Sequence, residues 1–212
     1  MSFWGFIKSI GNTIKSAITS LVEEKVNQIK VNKIEEVSRF VFDVNDDKEQ
    51  PLITLKESAQ FQLDIERYAC IGKKWKWRNA KLYVKFDKGF KTNGTSAPRV
   101  FHMNFPPYID MNEENADIYN AAAFIHDGLY ACKGEIQEKD VPKEKNESVR
   151  YTLARRECDN LLREIWIKSK FVDSLSAKIA EFGVNVVAKG PKHWDNDDLH
   201  CKEHFNVTIE YL

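Results

Sequence analysis

The chain has 212 residues, 42% of them hydrophobic and 30% charged, which suits one globular domain, or one domain with a modest appendage. A mean hydropathy of −0.50 and the lack of any apolar run near the ~18 residues of a spanning helix argue against an integral membrane protein. Lys+Arg and Asp+Glu each number 32, so bulk charge gives no general attraction to nucleic acid, and no nucleic-acid partner is expected. The four cysteines, Cys70, Cys132, Cys158 and Cys201, form no CxxC pair, which argues against a zinc ribbon and a disulfide-dense scaffold and for reduced thiols.

In chain order, residues 3–31 read as one long amphipathic helix. Phe3, Phe6, Ile7, Ile10, Ile14, Ile18, Leu21, Val22, Val26 and Ile29 recur at spacings of three and four and form one apolar stripe. Phe3, Trp4, Phe6, Ile7 and Ile10 gather aromatic and aliphatic groups at its start, as a helix meeting a membrane or another subunit would. No basic n-region precedes a cleavage site, so no standard secretory signal is expected. From about 37 to 100 the period becomes two. Residues 39–44, 61–65 and 81–86 alternate apolar and polar side chains as half-buried strands do. The run Lys73–Arg78 interleaves basic and aromatic residues; it reads as an exposed strand with aromatic cross-strand partners, or as a surface for bases or lipid headgroups. After 116 helical periods return over 117–132, 148–168 and 171–188, with a charged connector over 134–147. The expected architecture is α+β: an N-terminal amphipathic helix, a small antiparallel sheet, then a helical half with two antiparallel helices carrying a polar site. The boundaries are an arm over 1–36, one domain over 37–190 and a polar tail over 191–212.

The chemistry gathers on the predicted helix over 117–132. His126 and Tyr130, four apart, share one helical face, while Asp127 points about 100° away. Asp159, on the next helix, could accept the imidazole N–H and fix its tautomer, leaving the other nitrogen as a base. Upstream, Thr92, Gly94 and Ser96 lie in a loop of small residues whose carbonyls, with Asp127, would suit a hard cation such as calcium. In the tail, His200 and His204 with Cys201 are spaced for zinc on a helix, although a solvated terminal segment is the favoured explanation.

The segments Gly89–Arg99, Phe105-Pro106-Pro107, Ala121–Tyr130 and Arg155–Asp159 together resemble the domain-of-unknown-function 1353 family, over about residues 60–168. The resemblance implies a bacteriophage or prophage protein. The family's usual Thr-Asp-Gly reads Thr92-Asn93-Gly94 here, one carboxylate fewer. The pattern His126-Asp127-x-x-Tyr130 with a later Asp159 also looks like the active site of phospholipase A2 enzymes. That likeness implies His126 as the base for water, Asp159 and Tyr130 as its orienting groups, and Asp127 as a calcium ligand beside the carbonyls of 92–98. The half-cystines that surround this motif in the secreted enzymes are absent here.

The function expected on these grounds is a phage-encoded, calcium-dependent lipid ester hydrolase acting at membranes. Its alternatives are a non-catalytic virion or tail protein with a buried His-Asp-Tyr network, docking through the N-terminal helix, and a zinc-dependent cell-wall hydrolase. The expected location is the virion or the host cytoplasm.

Overall fold

Period-two alternation dominates the structure, a computed structural model describing residues 28–45, 52–71, 74–94, 105–138, 150–178 and 204–212. Nine strands are found among these residues: β1 (Ile29–Ser38), β2 (Phe42–Val44), β3 (Ile53–Leu55), β4 (Ala59–Ile71), β5 (Lys74–Phe86), β6 (Lys91–Thr92), β7 (Glu135–Glu138), β8 (Arg150–Thr152) and β9 (Phe205–Tyr211). Two long helices accompany them, α1 (Ala116–Ala131) and α2 (Arg155–Ser169).

Six strands form one sheet in the order β1-β4-β5-β9-β7-β8, and β2-β3-β6 form a small second sheet. All described pairings are antiparallel except β7 with β9. The frame is the long β4–β5 hairpin, paired without a break from Ala59↔Phe86 to Ile71↔Lys74. Its alternation puts Phe61, Leu63, Ile65, Leu82, Val84 and Phe86 on one buried face, and β9 adds Phe205, Val207 and Ile209 to that face. The opposite face carries Gln62, Asp64, Lys81, Tyr83 and Lys85, none of them buried.

Helix α1 covers the buried face. Its run Ala121, Ala122, Ala123 is small enough to let the backbone approach, and Phe124 enters an aromatic cluster with Phe40 (5.0 Å), Phe90 (5.7 Å) and Phe86 (5.9 Å). Such a ring buries enough apolar surface that its removal costs about 3–5 kcal/mol. One turn on, Gly128 lies against Phe205: a Cβ at this position would collide with the ring. The helix stops at Lys133 (φ 52°) and Gly134 (φ 70°), where the Gly134 N–H donates to Leu129 O at 2.7 Å. A side chain on Gly134 would strike the Leu153 carbonyl, so this glycine also ties α1 to the segment leading into α2.

A buried ion pair sets the start of α2. Arg67 of β4 donates through Nε and Nη2 to the two Glu157 oxygens at 2.7 and 2.9 Å, and also to Thr152 O and Tyr211 Oη. Glu157 Oε2 accepts the Ala154 N–H at 2.8 Å, satisfying a donor at the helix start. This fork fixes α2 against the sheet and thereby sets the height at which Asp159 stands.

The expected α+β division is overturned, because strands rather than helices make most of the described structure. The sheet is not small, and the segment after 116 is no helical half: β7, β8 and β9 join the main sheet. The connector expected over 134–147 contains β7, and the helix expected from 148 begins only at Arg155, after β8. Residues 29–36, placed in the arm by sequence, belong to β1, where Ile29 and Val31 are buried and Lys30 and Asn32 are exposed. Residues 205–211, placed in the polar tail, form a strand between β5 and β7. The stripe residues Phe3, Trp4, Phe6, Ile7 and Ile10 lie outside the described residues. No described helix is long and apolar enough to cross a membrane.

Candidate functional site

Three elements meet at the polar cluster. Helix α1 presents His126, Asp127 and Tyr130, α2 presents Arg155 and Asp159, and β6 presents Thr92, with Gly94 just after it. His126 and Tyr130 stack on one face of α1, ring centroids 4.2 Å apart. Asp159 Oδ1 lies 3.0 Å from His126 Nε2 and accepts the Tyr130 hydroxyl at 2.5 Å, while its Oδ2 accepts Arg155 Nη1 at 3.2 Å. The carboxylate of Asp159 is fully buried (0% exposed), so these three donors replace its water. Arg155 and Asp159 are one helical turn apart, a spacing that lets a guanidinium reach a carboxylate along the same face.

The other side of His126 is more open. Nδ1 lies 3.6 Å from Asp127 Oδ1, and the two side chains are 12% and 22% exposed. The Thr92 hydroxyl donates to Asp127 Oδ2 at 2.5 Å and accepts the Gly94 N–H at 2.9 Å. Thr92 is held in place by its pairing with Ile53 in the small sheet. Gly94 has φ 70° and sits so close to the Pro107 carbonyl that no side chain would fit. That fit explains a glycine two residues after Thr92 without appeal to a ligand.

Charge follows from this geometry. Burial alone would lower the His126 pKa, but Asp127 and Asp159 outweigh it and raise it to about 9. The imidazole is therefore cationic at neutral pH, between two carboxylates. Burial and the Asp159 charge push the Tyr130 phenol well above its usual value, so it stays a hydrogen-bond donor. With the Nε2 proton directed at Asp159, the site yields a free Nδ1 lone pair only once the second proton leaves.

Calcium takes six to eight oxygens. Of the residues expected to hold it, Asp127 supplies one carboxylate, the Thr92 hydroxyl is already engaged, Gly94 turns its N–H inward, and Ser96 lies outside the described residues. Among the described residues no group of three or more His, Cys, Asp or Glu side chains could hold a metal ion. These donors do not by themselves make a calcium site. For the zinc reading, His204 precedes β9 with its carbonyl bonded to the Asp87 N–H, and His200 and Cys201 lie outside the described residues.

Sequence reasoning gave no role to Arg155, Arg67 or Glu157. The four-residue spacing of Arg155 and Asp159 was a readable signal. The ninety positions separating Arg67 from Glu157 left none.

A family model described as a protein of unknown function, DUF1353, matches residues 70–180, a span that contains His126, Asp127, Tyr130, Arg155 and Asp159. No curated protein and no solved structure matches the chain.

Proposed function

Starting from the fact that the chain belongs to the DUF1353 family, we propose that it is a hydrolase of lipid esters, with His126 as the base that activates water. The observation that carries this reading is the asymmetry of His126. One ring nitrogen is fixed on a fully buried carboxylate that Tyr130 and Arg155 also hold, while the other faces the more open side, toward Asp127. The likeness of the His-Asp-x-x-Tyr pattern to phospholipase A2 enzymes supports the choice of an ester in a lipid. The setting we propose is a bacteriophage particle or its host.

The residues would act as follows. Asp159 accepts the Nε2 proton and orients the ring, and Tyr130 and Arg155 keep Asp159 from turning away. Nδ1, once deprotonated, takes a proton from water as the water oxygen bonds to the ester carbonyl carbon. The tetrahedral intermediate collapses with cleavage of the carbon–oxygen bond, and the imidazolium returns its proton to the departing alkoxide.

The test is fatty-acid release from phospholipid vesicles above pH 9, where His126 is largely neutral, with calcium and with a chelator. Support is release that falls about 10²-fold in His126→Gln while the variant stays folded. Release in chelator assigns the chemistry to the His–Asp pair alone, and calcium-dependent release adds the cation. No release in either condition overturns the reading. One observation favours a second reading, a structural network: both ring nitrogens face carboxylates, and the cluster ties β6, α1 and α2 together. It stands if release is absent and His126→Gln unfolds the protein at neutral pH.

A further inference from the structure

We propose that the far end of the β4–β5 hairpin is a docking surface for an anionic phospholipid layer. This goes beyond the hydrolase reading, because it concerns adsorption and not ester cleavage. On the inner face of the hairpin the large apolar side chains give way to Arg67 and Arg78, which are direct cross-strand partners. Arg67 is saturated by Glu157, Thr152 and Tyr211. Arg78 is different: its Nε is buried and has no hydrogen-bond partner among the described residues. A buried guanidinium N–H without an acceptor is costly, and an anion reaching it would relieve that cost. Lys76 lies on the same face and is exposed.

The opposite face of the same hairpin end is aromatic and open. Trp75 and Trp77 are 50% and 39% exposed. Tyr68 lies 5.8 Å from each, stacked on Trp75 and edge-on to Trp77. Lys30 Nζ sits 4.7 Å above the Trp77 ring and 3.9 Å from Glu66. Indole and phenol rings that expose both an apolar body and a polar edge favour the headgroup layer of a bilayer, and lysine and arginine beside them meet lipid phosphates. The cations Lys30, Lys76 and Arg78 outnumber the carboxylate Glu66 here, in a chain whose Lys+Arg and Asp+Glu are equal. The excess of cations at this end complements an anionic partner. Tyr68 already stacks on Trp75, taking a ring face on which a nucleic-acid base would otherwise stack, and this favours lipid over a single strand.

The experiment is cosedimentation of the full chain with phosphatidylcholine vesicles, with and without phosphatidylglycerol, and tryptophan quenching by brominated acyl chains. Expected are tighter binding with phosphatidylglycerol, loss of about tenfold or more in affinity in the double variant Trp75→Ala/Trp77→Ala, and loss of the phosphatidylglycerol preference in Arg78→Gln. Circular dichroism of each variant checks the fold, and Trp77→Phe, which keeps a ring, should retain most of the binding. Unchanged binding by the double variant, binding abolished instead by Trp4→Ala, or preference for an oligothymidylate over vesicles overturns the proposal. Fatty-acid release read from the same vesicles above pH 9 keeps the two readings apart: adsorption without release there removes the hydrolase and leaves the docking surface.

Discussion

Raising the pH from 6 to 10 should strip a defined amount of stability from this fold, through His126 alone. The folded-state pKa of His126 is about 9 against 6.5 for the free side chain, roughly 2.5 units, and each unit corresponds to about 1.36 kcal/mol. Because the folded value is the higher one, the stabilisation is fully present below the unfolded pKa of 6.5 and disappears as pH rises through about 9. The loss is about 3 kcal/mol, a large fraction of a typical domain's stability. Its source is the imidazolium between Asp159 at 3.0 Å and Asp127 at 3.6 Å in a nearly dry site. Urea unfolding at steps across this range, for the parent chain and for His126→Gln, isolates the contribution, since other titrating groups cancel in the difference. The two curves should lie about 3 kcal/mol apart at pH 6 and converge by pH 10. A constant separation across the range would refute the reasoning, because it would mean that the imidazole carries the same charge folded and unfolded. If His126 is also the base, hydrolytic rate should rise over the same window in which stability falls.

Asp159→Asn removes the charge on which His126, Tyr130 and Arg155 converge; a loss of about 3–5 kcal/mol in urea unfolding is expected, with a lower His126 pKa by NMR titration. In Gly128→Ala, clash with Phe205 should outweigh the helix-propensity gain of about 1 kcal/mol, giving a net loss of about 1–3 kcal/mol; Phe205→Leu in the same chain should recover part of it. Arg67→Met should lower stability by about 3–5 kcal/mol by leaving Glu157 buried without its partner, and Arg67→Met/Glu157→Met should recover most of that loss, read as a double-mutant cycle. Cys132 is half-buried and Cys158 buried, and burial pushes the Cys158 thiol well up. Maleimide should therefore label Cys132 in the native protein and Cys158 only after unfolding.

The sequence by itself determined the parts in which local periodicity and local chemistry agree. Helix α1, the hairpin strands and the one-face placement of His126 and Tyr130 each rest on a repeat of 3.6 or two that no neighbour needs to complete. The elements it misassigned are those whose partners lie far along the chain. β1 reads as the end of a helix because Ile29 continues a spacing of three and four, until β4 supplies a pairing edge for Ile29 and Val31. Phe205, Val207 and Ile209 alternate clearly, yet a strand so short has no stability alone; β5 on one side and β7 on the other make it one. The site divides in the same way. The identity of His126, Asp127, Tyr130 and Asp159 was legible from residue type and spacing. The charge of His126, the hold of Tyr130 on Asp159 and the Thr92 hydroxyl on Asp127 came only from tertiary structure, because pKa values and hydrogen bonds depend on distance and burial between segments 29 to 35 residues apart.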